Sequence, residues 1–349
     1  MKATSGQDDP ESSNLYAIAV RPGSGDDRNS SPCPVCSETQ GRVNLTVCNE
    51  RWAVLNCIKC GTGRLDPAPT THEIASFYPL DYYGREGSKF EGAVELLVRA
   101  IAARQARFLC KRLPSGGRIL DVGCGRGTLL AAVADQGFEA HGMEISAAAA
   151  HGADTRANIV IAPGLIEAKY PAEFFDEIVI WHVLEHLTNP LEVIRECHRL
   201  LKPGGHLMVA VPNYSSWQSR WSRENWFHLD LPRHLFHFPI NGLKQMVSRC
   251  EFKVLSEHHF SLRQNPFGWI QSWQNQLLPV ERNSLYCLLQ RGERQRVSWS
   301  LGLMLRICAA IFLLPAVAMS ILEALTRNGG TVHLVARKPE AAPSHREST

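Results

Sequence analysis

The feature that most constrains this chain is a strand–helix rhythm that repeats between residues 118 and 211. Arg118–Val122 is a short apolar strand, and Thr128–Gln136 carries the spacing of a helix. Ala140–Ile145 and Ile159–Ala162 read as further strands. Phe175–Trp181 is a continuous apolar run, the pattern of a strand buried on both faces. Leu191–Leu200 is predicted helical, Lys202-Pro203-Gly204-Gly205 a turn and His206–Val211 a strand. Such alternation builds a parallel sheet with helices on both faces, an α/β fold. Upstream, Val94, Leu97, Val98, Ile101, Phe108 and Leu109 recur mostly at helical spacing, and this helix stops at Leu113-Pro114-Ser115-Gly116-Gly117.

Chemistry enters at Arg118-Ile119-Leu120-Asp121-Val122-Gly123-Cys124-Gly125-Arg126-Gly127-Thr128, where a strand ends in an acid and glycines alternate into a helix. Alternating glycines let the backbone approach a ligand that a Cβ would block. Glu144 ends the next strand, 23 residues after Asp121, where an acid can accept hydrogen bonds from both hydroxyls of a ribose. The spacing Gly-x-Gly-x-Gly differs from the Gly-x-Gly-x-x-Gly that cradles a pyrophosphate, and suits a ligand without phosphates.

From about Arg118 to Asn213 these motifs, in this order, resemble the class I S-adenosylmethionine-dependent methyltransferases. The resemblance implies a Rossmann-like seven-stranded sheet whose last strand is antiparallel, with S-adenosylmethionine as cofactor. Asp121, Gly123, Cys124, Gly125 and Gly127 match the first motif, whose loop lies under the methionine part. Glu144 matches the ribose-binding acid. Gly164 and Leu165 follow the third strand, where the family places adenine contacts, although many relatives have an Asp where this chain has Leu165-Ile166-Glu167. Asp176 to Leu187 looks like the fourth strand and its loop, which puts Trp181 and His182 at the cofactor. Leu200-Leu201-Lys202-Pro203-Gly204-Gly205-His206-Leu207 matches the lead into the fifth strand.

A second constellation precedes this domain. Cys33-Pro34-Val35-Cys36 and Cys57-Ile58-Lys59-Cys60 form a C-x2-C-x20-C-x2-C pattern, whose paired knuckles suit tetrahedral zinc. Four thiolates leave no open position, so Cys33, Cys36, Cys57 and Cys60 would hold a structural Zn2+, with Cys48 a spare thiol. So short a segment lacks a sufficient core, and the metal would supply stability. Pro67-Ala68-Pro69-Thr70 and Phe77-Tyr78-Pro79-Leu80-Asp81-Tyr82-Tyr83 resemble the linker of zinc-ribbon methyltransferases that act on sugars and glycans. That resemblance implies a ribbon beside the catalytic domain and an acceptor pocket lined by Tyr82 and Tyr83, with packing as the alternative role of these rings.

His228-Leu229-Asp230-Leu231-Pro232-Arg233-His234-Leu235-Phe236-His237-Phe238 lies past the fifth strand, where this fold places substrate-binding insertions. It resembles a Pro-Arg-His-Leu stretch recurrent in the same group. A histidine near neutral pH can take a proton from the acceptor as the methyl group transfers. His234 and His228 are the candidate bases, and Arg233 is available to hold an anionic acceptor. His186 is a third candidate. For each histidine the alternative is a ring that pins a loop.

Between Ile307 and Leu322 there are 16 residues without a charge, inside an apolar stretch Leu301–Leu325. A spanning helix needs about 20. Thr331–Arg337 reads as the final strand, which returns antiparallel into the sheet and places both ends of the stretch on one side of any bilayer. A shallow helix kinked at Pro315 satisfies that topology, with Arg291, Arg294, Arg296, Arg306 and Arg327 near anionic headgroups. A buried core or dimer helix is the alternative.

The expected organisation is a disordered leader (1–30), a zinc ribbon (31–66), a linker and helix (67–113), a methyltransferase domain (114–338) with a helical insertion at about 213–330, and a disordered tail (339–349). Met1–Pro10 lacks an apolar signal core and eleven cysteines fit metal or free thiols, so the chain is expected in the cytoplasm or peripheral on the inner face of the membrane. A net charge of +3, with Arg51, Lys59 and Arg64 offset by Glu38, Glu50 and Asp66, is no nucleic-acid footprint. The expected function is O-methylation of a sugar, glycan or lipid-linked small acceptor. An RNA methyltransferase that targets through its ribbon and a non-catalytic cofactor-binding scaffold are the alternatives.

Overall fold

The structure, a computed structural model, describes residues 18–47, 51–78, 92–290 and 297–340. Its N-terminal part is an antiparallel sheet of β1 (Val20–Pro22), β2 (Asp27–Asn29), β3 (Gln40–Val47), β4 (Trp52–Cys57) and β5 (Gly63–Asp66). β1 and β2 both pair with β3. Of the stretch 1–30 read as a disordered leader, the described residues from 18 on thus join the sheet, because an edge strand needs only backbone partners and no apolar pattern. α1 (Thr71–Ser76) follows, opened by a capping box of Thr70 and Glu73.

α2 (Gly92–Cys110) leads into the strand–helix part: β6 (Arg118–Val122), α3 (Thr128–Ala134), β7 (Glu139–Glu144), α4 (Ala147–Ala150), β8 (Asn158–Ile161), β9 (Phe175–Trp181), α5 (Pro190–Leu200) and β10 (Leu201–Pro212). Then come α6 (Trp217–Ser222), β11 (Phe236–His237), α7 (Ile240–Arg249), β12 (Lys253–His258), α8 (Asn265–Leu277), α9 (Ser284–Leu289), α10 (Trp299–Leu325) and β13 (Thr331–Arg337).

Seven strands form one sheet in the order β12-β13-β10-β9-β6-β7-β8, with β13 antiparallel to both neighbours and the run from β10 to β8 parallel. The core of central β9, with Ile178, Val179 and Ile180 fully buried, is what its continuous apolar run requires. The ends of β6, β7 and β9 meet at the carboxyl edge, where open α/β sheets carry ligands. The turn expected at Lys202–Gly205 does not interrupt β10. Leu201 pairs with Phe175 and His206 with Glu177, so the strand bulges there, and Gly204 at φ +80° supplies the left-handed residue.

The two sheets are bound together by the segment that follows β10. β11 pairs with β5, Phe236 opposite Arg64 and His237 opposite Gly63. Cys33, Val35 and Cys57 share a core with Ile240 and Leu243 of α7. Leu45, Trp52 and Leu65 share another with Trp226, Leu229 and Leu235. The four-cysteine sheet therefore forms a wall against which residues 226–237 are packed.

α10 is held along the protein surface. Gln274 Nε2 donates to the Leu305 carbonyl at 3.0 Å, and Trp269 Nε1 donates to Glu323 at 3.0 Å. Leu305 and Ala316 are buried on that side, while Leu303, Ile307, Ile311, Leu314, Ile321 and Leu325 are exposed on the other. The helix is long and apolar enough to cross a membrane by length and composition alone.

Candidate active site

The glycine loop after β6 is shaped by its contacts with β7 and β9. Gly123 and Cys124 donate their amides to the Met143 carbonyl, and Gly125 N donates to Glu144 Oε2 at 2.9 Å. Glu144 Oε1 accepts from Ile145 N and Ser146 N at 2.8 and 3.0 Å, so with Gly125 N on Oε2 one lone-pair site, on Oε2, is left for a further donor. Burial, and then the Glu144 charge, push the Asp121 carboxyl up to about 7. At Gly123, with φ +74°, a Cβ would lie 2.5 Å from Val183 Cγ2. At Gly125 a Cβ would meet nothing within 4 Å, so the loop faces open space beside Glu144. Gly127 caps α3 in the left-handed conformation. This cradle fits a cofactor of the S-adenosylmethionine type.

Two residues expected at the cofactor turn their side chains elsewhere. Cys124 Sγ packs against Gly142, where a Cβ would come within 2.6 Å of it, so its backbone is what the loop presents. Leu165 is buried in the core with Tyr170, because it follows the short strand β8 on the inward side. Gly164 sits at the Glu167 carboxylate, and Ile166 is the exposed apolar side chain at that end.

The loop after β9 and the segment 226–237 enclose a cavity of about 110 Å³ whose walls include His182, Glu185, His228, Asp230 and His234. His182 sits at φ +52°, a strained backbone for a non-glycine residue, and burial pushes its ring down to about 3. His234 Nδ1 lies 2.9 Å from the His228 carbonyl, so it carries the proton and leaves Nε2 as the basic atom. Burial and the neighbouring His186 hold this ring well below the usual histidine range, hence neutral at pH 7. Burial likewise pushes His228 down to about 3. His186 stands behind them, its ring 4.5 Å from that of His234 and its Nδ1 at 2.9 Å from Tyr78 Oη and 3.1 Å from the Arg233 carbonyl. That is the position of a brace.

Arg233 is not available to an acceptor. Its guanidinium is buried and grips Asp230 through Nε at 3.1 Å and through a terminal amine at 2.6 Å. Burial opposes ionisation of Asp230, yet Arg233 and His234 hold its carboxyl well below the usual range. A clamp expected from sequence is thus an internal ion pair, since a buried arginine must find its counter-charge inside the protein.

Glu185, read from sequence with His186 as facing the site, and Tyr78, one of the linker tyrosines, both reach it, though neither had been given a role of its own. Glu185 is 1% exposed, and burial pushes its carboxyl up to about 7. Its Oε1 is 3.3 Å from His182 Nδ1, while Glu185 Oε2, His182 Nε2 and His228 Nε2 have no partner among the described residues. Three unpaired buried polar atoms around one small cavity leave room for a polar ligand group. The spacing His182-x-x-Glu185 was a legible signal for one of them. For Tyr78 the signal was the aromatic cluster of the linker. Tyr82 and Tyr83 lie outside the described residues.

In the N-terminal sheet, Cys33 Sγ is 3.5 Å from Cys60 Sγ and Cys36 Sγ is 3.5 Å from Cys57 Sγ, and all four sulfurs lie within 4.8 Å of one another. Sulfurs at about 2.3 Å from a tetrahedral zinc would stand about 3.8 Å apart, so the donor set fits that ion.

Comparison with known proteins shows what this part of the chain is similar to. Residues 94–257 match a family model described as a methyltransferase domain. A ubiquinone biosynthesis O-methyltransferase of Xylella fastidiosa (strain 9a5c) is 38% identical over 115 residues, 30% of this chain and 46% of that protein. A protein of the same description from Vibrio cholerae serotype O1 (strain ATCC 39541 / Classical Ogawa 395 / O395) is 33% identical over 105 residues, 28% of this chain and 43% of its own length. The chain thus spans less than half the length of these curated relatives. Among solved structures, phosphoethanolamine N-methyltransferase 2 of Haemonchus contortus, in complex with S-adenosyl-L-methionine, superposes with a TM-score of 0.47 at 12% identity, over 93% of this chain and 69% of that one. A SAM dependent methyltransferase from Archaeoglobus fulgidus gives 0.45 at 20% identity, over 71% and 100%. Residues 94–257 of this chain, which carry the glycine loop, Glu144 and the loop after β9, are thus similar to a methyltransferase domain.

Proposed function

We propose that this chain transfers a methyl group from S-adenosylmethionine to a hydroxyl oxygen of a small acceptor: a sugar, a glycan or a lipid-linked intermediate. The observation that carries this reading is the pairing, at one sheet edge, of the open Gly125 cradle and Glu144 with a cavity lined by His182, Glu185, His228 and His234. The cofactor supplies an electrophilic methyl group on a sulfonium. The chain's own part is to align, exclude water and remove one proton. Residues 123–127 would hold the methionine part, Glu144 the ribose, and Trp181 with His182 the end of β9. His234 Nε2 takes the acceptor's proton, and Asp230 Oδ2 at 3.9 Å stabilises the cation that forms. Glu185, with its carboxyl at about 7, is the second group able to accept a proton in the same cavity.

In this reading Cys33, Cys36, Cys57 and Cys60 hold one structural zinc, and the ribbon (31–66), linker (67–113) and catalytic part (114–338) act as one unit in the cytoplasm. The apolar outer side of α10, with Trp299 at 80% exposure, rests on the inner face of the membrane and brings the enzyme to lipid-linked acceptors. Support for contact without crossing is the pinning of both Leu305 and Glu323 to α8.

The test uses S-adenosylmethionine labelled on the methyl group, incubated with the full chain and cell fractions. Label in base-stable ethers of the lipid or glycan pool is the expected result. Label confined to RNA would replace this reading by an RNA methyltransferase, and cofactor binding without transfer to any pool would leave the scaffold.

A further inference from the structure

A second, larger hollow of about 460 Å³ lies between α2, the end of β12 and the end of α10. Phe108, Trp181, Phe260 and Leu262 give it apolar walls, and Arg104, Arg263 and Arg327 stand in its lining. Phe108, Phe260 and Leu262 are 37%, 38% and 55% exposed, so the rim faces solvent. The tilted ring pair of Trp181 and His333, 4.6 Å apart, closes the inner end.

This groove and the small cavity stand back to back. Trp181 lines the groove and the next residue, His182, lines the cavity; Arg263 lines the groove and the next residue, Gln264, lines the cavity. Two pairs of consecutive residues are therefore the wall between them.

The charge of the groove is one-sided. Its acid, Glu257, is engaged by Lys244 and His259, with Arg327 at 3.8 Å and largely exposed. Burial pushes His333 down to about 3 and lowers His259, so neither ring adds or cancels charge at pH 7. Arg104 is exposed and has no hydrogen bond or ion pair among the described residues. An apolar trough with surplus guanidinium charge suits a ligand that is itself apolar along its body and anionic at one end.

We propose that this groove binds an organic anion with an apolar body, a chain ending in a carboxylate or a phosphate, as the part of the acceptor that is not methylated. The proposal rests on the methyltransferase reading of the adjoining cavity, whose polar walls would take the reacting hydroxyl. Apolar burial against the aromatic walls supplies affinity, and the arginines supply selectivity for the anion.

Dodecyl phosphate, laurate and neutral dodecanol, each below its micelle-forming concentration, test this by calorimetry on the full chain. At least one anion should bind tenfold or more tightly than dodecanol, and which anion binds better names the carboxylate or the phosphate source. The double substitution Arg104→Ala/Arg327→Ala, on exposed positions, should erase most of that preference, and Phe260→Ser should weaken all three probes. Ile311→Glu/Leu314→Glu on the outer side of α10 should leave binding unchanged. Equal affinity for all three probes, no binding, or loss through the α10 pair instead of the arginines would each overturn the groove. S-adenosylmethionine titrated into the same samples separates the two readings: cofactor bound without any probe overturns the groove alone, whereas no cofactor bound overturns the methyltransferase reading itself.

Discussion

The hydroxyl of Tyr78 lies 2.9 Å from Nδ1 of His186, tying the segment behind the four-cysteine sheet to the loop after β9. His186 in turn packs its ring 4.5 Å from that of His234, so the candidate base is positioned partly from the N-terminal part of the chain. Tyr78→Phe deletes one hydrogen bond, worth about 1 kcal/mol, and should lower the melting temperature only slightly. Its clearer effect should be a severalfold fall in kcat with unchanged affinity for S-adenosylmethionine. An unchanged kcat and pH profile would reduce the contact to simple packing.

Gly125→Arg should abolish S-adenosylmethionine binding while the chain stays folded. The position points into open space, so nothing in the protein resists the new side chain except the φ of +51°, a penalty of about 1–2 kcal/mol. Calorimetric titration of the cofactor checks this, and retained affinity would displace the cradle from the glycine loop.

Glu185 predicts a pH dependence of stability. The folded carboxyl titrates at about 7 against an ordinary 4.5, so the folded chain keeps a proton that the unfolded chain releases between these values. That contribution is fully present below the ordinary value and is lost as pH rises through about 7. Glu185→Gln should therefore gain on the wild type as pH goes from 5 to 8, by on the order of 3 kcal/mol at most. Thermal melts of both proteins across that range measure it, and parallel curves would mean the carboxyl titrates normally.

Arg233→Met should strand the Asp230 carboxylate in the interior. Breaking a buried ion pair by removing one partner costs about 3–5 kcal/mol, far more than the pair itself is worth. Denaturant unfolding should show this loss, and Asp230→Asn combined with Arg233→Met should recover a large part of it. A double variant as unstable as the single would point to lost packing instead of stranded charge.

Purified protein should carry about one zinc per chain, and Cys57→Ser should remove it. Since β5 of the same sheet pairs with β11, the loss should also loosen residues 226–237, seen as faster amide exchange at Phe236 and His237. A metal-free chain with intact protection there would make the cysteines ordinary core residues.

The regular parts of this protein were legible because they rest on local periodicity. Phe175–Trp181 and Thr331–Arg337 have the ends expected of them, and Gly123 of the cofactor loop sits where a Cβ would collide with Val183. The four cysteines announce themselves by spacing, since a knuckle is a local turn. Tertiary structure decided the rest. Whether Arg233 faces a ligand or Asp230, whether Leu165 faces adenine or the core, and whether the stretch before residue 30 joins a sheet all depend on what lies opposite. Periodicity within a segment records which residues are buried, but burial is shared between partners far apart in the chain. The acceptor side of the site illustrates this most clearly: Tyr78, Glu185 and His234 come from three separate segments, and only the packing of the N-terminal sheet against residues 226–237 brings them together.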